Sequence, residues 1–173
     1  MTNETLTPTD FSEILAGFST AFLCSHDGPA FLHARPMQVA QVHEDCSIDF
    51  LTSYSSPKMA ELARNPEVCL TLQDGKRFAV IAGRATASNE RAELEAAWSE
   101  AFRPWFPDGL DSRDLALVRV EAREGESWDA SGMSRLRFLI EASKAYFKGE
   151  EISDEAYEHH RMKARDTAEL INA

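Results

Sequence analysis

Hydroxyl and basic side chains crowd one short stretch of this chain: Thr52 and Ser53, then Ser55, Ser56, Pro57 and Lys58. A proline suits the first turn of a helix, where its missing N–H leaves nothing unpaired. Asn65-Pro66 then stops the helix, because the residue before proline resists the helical conformation. The spacing therefore predicts a helix over Pro57–Arg64 whose N-terminus offers free backbone N–H groups, hydroxyls and a lysine. Such an end attracts an anion, both by hydrogen bonding and through the helix macrodipole. Arg35, on the strand-like run Ala30–Val42, would reach the same place. Spacing alone equally allows Ser56 merely to cap the helix while Lys58 is solvated.

Other chemistry is less well provided for. The chain lacks the glycine-rich phosphate loop, the dinucleotide turn, the nucleophile elbow and the His-Glu-x-x-His zinc helix. His159 and His160 are adjacent, so on a helix they would point about 100° apart and not share a metal. Asp108, Asp111 and Asp114 lack the spacing of a calcium loop and read as a solvated acidic segment. Cys24, Cys46 and Cys69 form no Cys-x-x-Cys pair and fall in or beside strand-like runs, where a reduced cysteine packs as a small apolar residue. No metal site is expected.

Net charge is −11, which opposes nucleic-acid binding and anionic membranes, since both need a basic surface. A small anionic ligand is still accommodated if a pocket is locally basic. No apolar run approaches the roughly 18 residues of a membrane span. The start, Met1-Thr2-Asn3-Glu4, has neither the basic nor the apolar segment of a signal peptide. A cytoplasmic location is the expectation.

The elements that must position these residues are mostly strands. A helix beginning near Asp10, with Glu13 at capping-box spacing, carries the stripe Phe11, Ile14, Leu15 and Phe18. Strand-like runs follow at Ser19–Ser25, Ala30–Val42 and Ser47–Thr52, then Val68–Gln73, Phe78–Ala87 and Leu115–Ala122. Asp27-Gly28 and Asp74-Gly75 are hairpin signals, and Gly83 marks a bulge or corner. Asn89 would cap a helix running to about Phe102. Two amphipathic helices are expected at about Ser134–Phe147 and Ser153–Ile171. Six short strands joined by hairpins predict an α+β, mainly β fold: a six-stranded antiparallel split barrel with peripheral helices and two C-terminal helices. One domain spans 1–173, with the barrel at about 11–130 and the helical extension at about 134–171.

Three stretches carry a resemblance: Arg35-Pro36-Met37, Phe50 through Met59, and Arg64-Asn65-Pro66-Glu67-Val68. Together with Val80 through Ala85 they resemble the flavin-binding core of the pyridoxamine 5′-phosphate oxidase-like split barrels. Trp98 to Phe106 and Trp128-Asp129 are similar to the bacterial general stress protein branch of that family. The resemblance implies a homodimer with FMN at its interface, with FAD or a deazaflavin as alternatives. It implies that Arg35 and Lys58 hold the phosphate while Thr52 and Ser53 donate hydrogen bonds; Ser56, at the helix N-terminus, is counted with them as a cofactor-binding residue. Pro36 and Met37 would lie along the flavin, and Trp128 would approach across the interface. Ala40, Pro57 and Phe78 depart from the oxidase pattern and argue against oxidation of pyridoxamine phosphate. What remains is flavin redox chemistry on an unidentified small molecule, or a non-catalytic flavin- or ligand-binding stress module.

Overall fold

The structure, a computed structural model, describes residues 4–26, 28, 31–129 and 158–163. Its elements in chain order are β1 (Glu4–Thr5), α1 (Pro8–Leu15), β2 (Thr20–His26), β3 (Leu32–Val42), β4 (Ile48–Ser53), α2 (Pro57–Arg64), β5 (Glu67–Asp74), β6 (Arg77–Ser88), α3 (Arg91–Ala97), β7 (Leu115–Asp129) and β8 (Glu158–Lys163). Strands β7-β4-β3-β2-β5-β6 are neighbours in that order, and β6 pairs back onto β7 to close a six-stranded antiparallel barrel. This is the expected split-barrel fold.

Alternating side chains fill the barrel. Ala21 and Leu23 of β2, Val68, Leu70 and Leu72 of β5, and Ala79 and Ile81 of β6 point inward, with polar or half-exposed residues between them. Strand β4 breaks that alternation, because Ile48 through Thr52 are all buried. Ile48 and Phe50 face the barrel core, while Leu51 joins Leu115 and Leu117 of β7 on the outside, under Leu94 and Ala97 of α3 and Phe102. Asp49 is also buried on that strand. Arg119 meets it with two hydrogen bonds, Nε to Oδ1 at 2.7 Å and Nη2 to Oδ2 at 2.8 Å, and His43 Nε2 lies 2.8 Å from Oδ2.

Two long strands change partners along their length. Strand β7 pairs with β4 over Leu115–Val120 and with β8 over Glu124–Asp129. Strand β3 pairs with β2 over Leu32–Gln38, and with β4 only from Val39 to Val42. The β3–β4 ladder stops at the pair Val39–Phe50. Beyond it the two strands part, and α2, packed against β2 and β6, follows the open wall.

Several expectations are corrected. Helix α1 starts at Pro8, two residues before Asp10: Thr7 is the cap, its hydroxyl accepting from the Asp10 N–H at 3.2 Å, and Pro8 opens the first turn. Helix α3 ends at Ala97, followed by a separate 3-10 turn at Glu100–Phe102. His26 pairs with Leu32, so the Asp27-Gly28 connection is a longer loop than a tight hairpin. The helix expected over Ser153–Ile171 is not formed at Glu158–Lys163, which is strand β8. The lower half of β7 needs a hydrogen-bonding partner where β4 has ended, and buried Met162 fills the core from that strand; tertiary pairing overrides local periodicity. The remainder of that helix, and the one at Ser134–Phe147, lie outside the described residues. Among the described residues no helix is long and apolar enough to cross a membrane.

The bulge expected at Gly83 is present. Ala82 pairs with Glu124 and Gly83 with Ala122, leaving Arg123 as the extra residue. A Cβ on Gly83 would stand 2.4 Å from the Glu121 carbonyl oxygen, which is backbone and has little room to yield. Gly83→Ala is expected to cost about 1–3 kcal/mol of stability, the usual price of overpacking, read as a lower urea midpoint with an unchanged slope. A midpoint equal to that of the wild type would show that the barrel relaxes freely at this corner.

Candidate functional site: a basic cleft at the barrel split

Arg35 projects from the part of β3 that β4 no longer covers. Its Nη1 donates to the hydroxyl of fully buried Ser25 at 2.6 Å, and its Nη2 donates to Glu61 Oε2 at 2.6 Å. Ser25 in turn donates to the same Glu61 oxygen at 2.5 Å, and His33 Nδ1 lies 3.0 Å from Glu61 Oε1. Glu61 is the second-turn residue of α2 on its inner face, and only 4% exposed. Burial opposes its ionisation, but the hydrogen bonds from Ser25, His33 and Arg35 outweigh burial and hold the carboxyl at about 2.

One turn earlier on the same helix, the Lys58 ammonium donates to Thr52 Oγ1 at 2.7 Å and to Ser56 Oγ at 3.1 Å. Ser56 is the N-cap by backbone conformation, yet its hydroxyl makes no capping bond; it serves Lys58 instead. Burial pushes the Lys58 pKa down, and the Arg35 charge lowers it further, against a smaller opposing pull from Glu61. The two cations thus sense each other across one open cleft of about 730 Å³, walled by Leu32–Arg35 of β3 and by Pro57, Lys58 and Glu61 of α2.

Asp114 anchors the turn that leads into α2. Its carboxylate accepts from the Ser55 N–H at 2.8 Å, from the Ser55 hydroxyl at 2.9 Å, and from the Ser53 hydroxyl. These bonds lower its pKa.

The structure therefore brings Arg35, Thr52, Ser56 and Lys58 together. Ser53 points to the other side of β4, as strand alternation requires, and is taken up by Asp114. Met37 is buried in the barrel core and Pro36 is exposed on the outer face. Trp128 is not among the cleft's lining residues; it sits on β7 opposite Phe78 and His159, stacked on the His159 ring at 5.1 Å between centroids. Ser25, His33, Glu61 and Asp114 belong to the site or its frame and were not anticipated. Glu61 alone had a readable signal, being one helical turn beyond Lys58 and so on the same side. No cluster of residues able to hold a metal occurs among the described residues.

A six-stranded barrel that splits beside a helix is the fold that the resemblance in the sequence implied. The family model "Pyridoxamine 5'-phosphate oxidase like" matches residues 7–153, and the chain belongs to that family. Comparison with curated protein sequences yields no match. Among solved structures, the general stress FMN/FAD binding protein of Xanthomonas citri is similar at 26% identity and a TM-score of 0.62, over 73% of this chain and 91% of that one. A Clostridium acetobutylicum protein related to general stress protein 26 of B. subtilis gives 17% and 0.62, over 70% and 87%. General stress protein 26 of Bacillus anthracis gives 17% and 0.61, over 69% and 92%. The last two likenesses speak to fold alone.

The Glu61 carboxyl lies below the value of about 4.3 for an unfolded glutamate, so its ionised form favours the folded chain. That contribution is complete above the unfolded value and is lost as pH falls towards about 2. Glu61→Gln is expected to cost about 1–3 kcal/mol at neutral pH, and its deficit relative to wild type should narrow at pH about 3. Urea titrations of both proteins at the two pH values test this; a deficit independent of pH would mean that ionisation of Glu61 contributes nothing.

Proposed function

We propose that this protein binds FMN as a homodimer of the general stress type, the phosphate lying between Arg35 and Lys58. One observation carries the reading: two like charges converge on a single cleft, close enough for Arg35 to depress the Lys58 pKa. Among the described residues, the hydrogen-bond acceptors of the Lys58 ammonium are the neutral hydroxyls of Thr52 and Ser56. Glu61 neutralises one of the two cations, which leaves a local positive excess on a chain of net charge −11. A phosphate removes that excess and relieves the repulsion. FAD and deazaflavins share the phosphate chemistry, and the likeness to an FMN/FAD binding protein supports a flavin.

In this reading Arg35 and Lys58 bind the phosphate, and Thr52 and Ser56 orient the ammonium. Glu61 and Ser25 keep the guanidinium from swinging into solvent, and Asp114 holds the turn that starts α2. FMN, when bound, supplies hydride or single-electron transfer through its ring system, with the protein providing orientation and electrostatics. Catalysis of a redox reaction on a small molecule is the leading role. The Arg35–Glu61 ion pair favours a second one, a weakly binding or non-catalytic module, since phosphate must compete with a carboxylate already in place.

Lys58→Ala should weaken FMN binding by about 10- to 100-fold, the loss expected for one charge-assisted contact. Riboflavin, without the phosphate, should bind wild type and variant alike. Flavin-fluorescence titration measures both. Equal losses for the two ligands would assign Lys58 to the ring pocket or to folding instead, and no binding of either ligand to wild type would favour the non-flavin module.

Leu32, 67% exposed, lines the open cleft, and Phe31, 68% exposed, precedes it in the chain. Apolar side chains beside a ligand site are what a second copy would cover. Static light scattering at micromolar concentration should give twice the 19.3 kDa chain mass; a species of 19.3 kDa alone would remove the dimer from the proposal.

A further inference from the structure

Two of the three cysteines face each other. Cys24 of β2 and Cys69 of β5 are direct register partners on neighbouring antiparallel strands. The phase of the ladders follows from two flanking bonds. Val39 N–H donates to the Ser19 carbonyl and Ala85 N–H to the Pro66 carbonyl. Odd residues of β2 therefore turn their backbone groups to β3 and even ones to β5, while odd residues of β5 turn theirs to β2. Cys24 and Cys69 thus form a hydrogen-bonded pair, with Cα atoms about 5.5 Å apart. That separation falls inside the range of about 4.4–6.8 Å that a disulfide spans.

Both side chains lie on the outer face of the barrel, alternating with buried Leu23 and Ser25 on β2 and with Val68 and Leu70 on β5. Both are free and half-buried. Burial pushes the Cys69 thiol pKa up, and the neighbouring Cys24 raises it further. Cys46 is free as well but lies elsewhere and is more deeply buried. It is fully buried, its Sγ lies 2.8 Å from the Pro8 carbonyl oxygen to which it donates, and its thiol is pushed up to about 12.

We propose that Cys24 and Cys69 are a dithiol site that a hydroperoxide converts to an intramolecular cross-strand disulfide, and that Cys46 takes no part. One thiolate attacks the peroxide, breaking its O–O bond, to give a sulfenic acid and an alcohol, or water from hydrogen peroxide. The second thiolate attacks the sulfenic sulfur, and hydroxide leaves as water once protonated. In sum two thiols are oxidised by two electrons, and the peroxide is reduced. Cβ atoms in a register pair stand about 4.5–5.5 Å apart, whereas a disulfide wants about 3.5–4.5 Å. Bond formation must draw β2 and β5 together, and a disulfide under such strain is readily reopened by a thiol.

The test uses the purified full chain, reduced, then exposed to a small molar excess of hydrogen peroxide. Mass spectrometry without reductant should show the loss of two hydrogen masses and a peptide pair linking Cys24 to Cys69. After unfolding, iodoacetamide should label Cys46 alone, and reduced glutathione should restore labelling of all three. Cys24→Ser should abolish the link while the circular dichroism spectrum stays that of wild type. Three labelled thiols after peroxide, overoxidised cysteines without a link, or a link between two chains would each overturn the proposal. None of these outcomes depends on flavin binding.

Discussion

The Glu61 carboxylate is nearly sealed from water, and an ionised carboxylate so placed costs several kcal/mol unless donors surround it. Ser25, His33 and Arg35 provide them from β2 and β3, while Glu61 itself rides on α2. One side chain therefore ties the helix to the hairpin it must face. The same bonds decide where Arg35 stands, and the helix geometry then decides where Lys58 stands, one turn away. Neither cation is free to choose its place. The cleft is a consequence of satisfying a buried charge.

That arrangement needs an opening in the wall, and the barrel creates it by letting β3 and β4 diverge. Closure is achieved elsewhere, along the long β6–β7 ladder, so the split does not cost the fold its cohesion. Because α3 covers the outside of β4 and β7, the strand at the edge of the split is buried on both faces and held rigidly. Rigidity there matters, since Thr52 at its end orients the Lys58 ammonium.

How much of this was legible in the sequence differs from residue to residue. Pro57 and Asn65-Pro66 bound α2 through local sterics, and the structure gives the same Pro57–Arg64 limits. Thr52, Ser56 and Lys58 meet through hydrogen bonds that their closeness in the chain makes readable. Ser25 and Glu61 were missed because their meeting depends on the β2–β3 register across a loop whose length Asp27-Gly28 does not reveal. Ser53, which the resemblance groups with Thr52, turns to the opposite side of β4 and meets Asp114. His159 and His160 were read on a helix since local periodicity cannot see that β7 still has an unfilled edge. Interactions within a few residues are written in the sequence directly; those set by pairing of distant strands are not.

Strand β7 ends at Asp129, and the chain re-enters the sheet at Glu158, which is the register partner of Asp129. The last residue of β7 and the first of β8 therefore share one rung of the ladder. A segment far along the chain thus supplies an outer rail to the barrel's longest strand, and Met162 from that rail plugs the core beneath it.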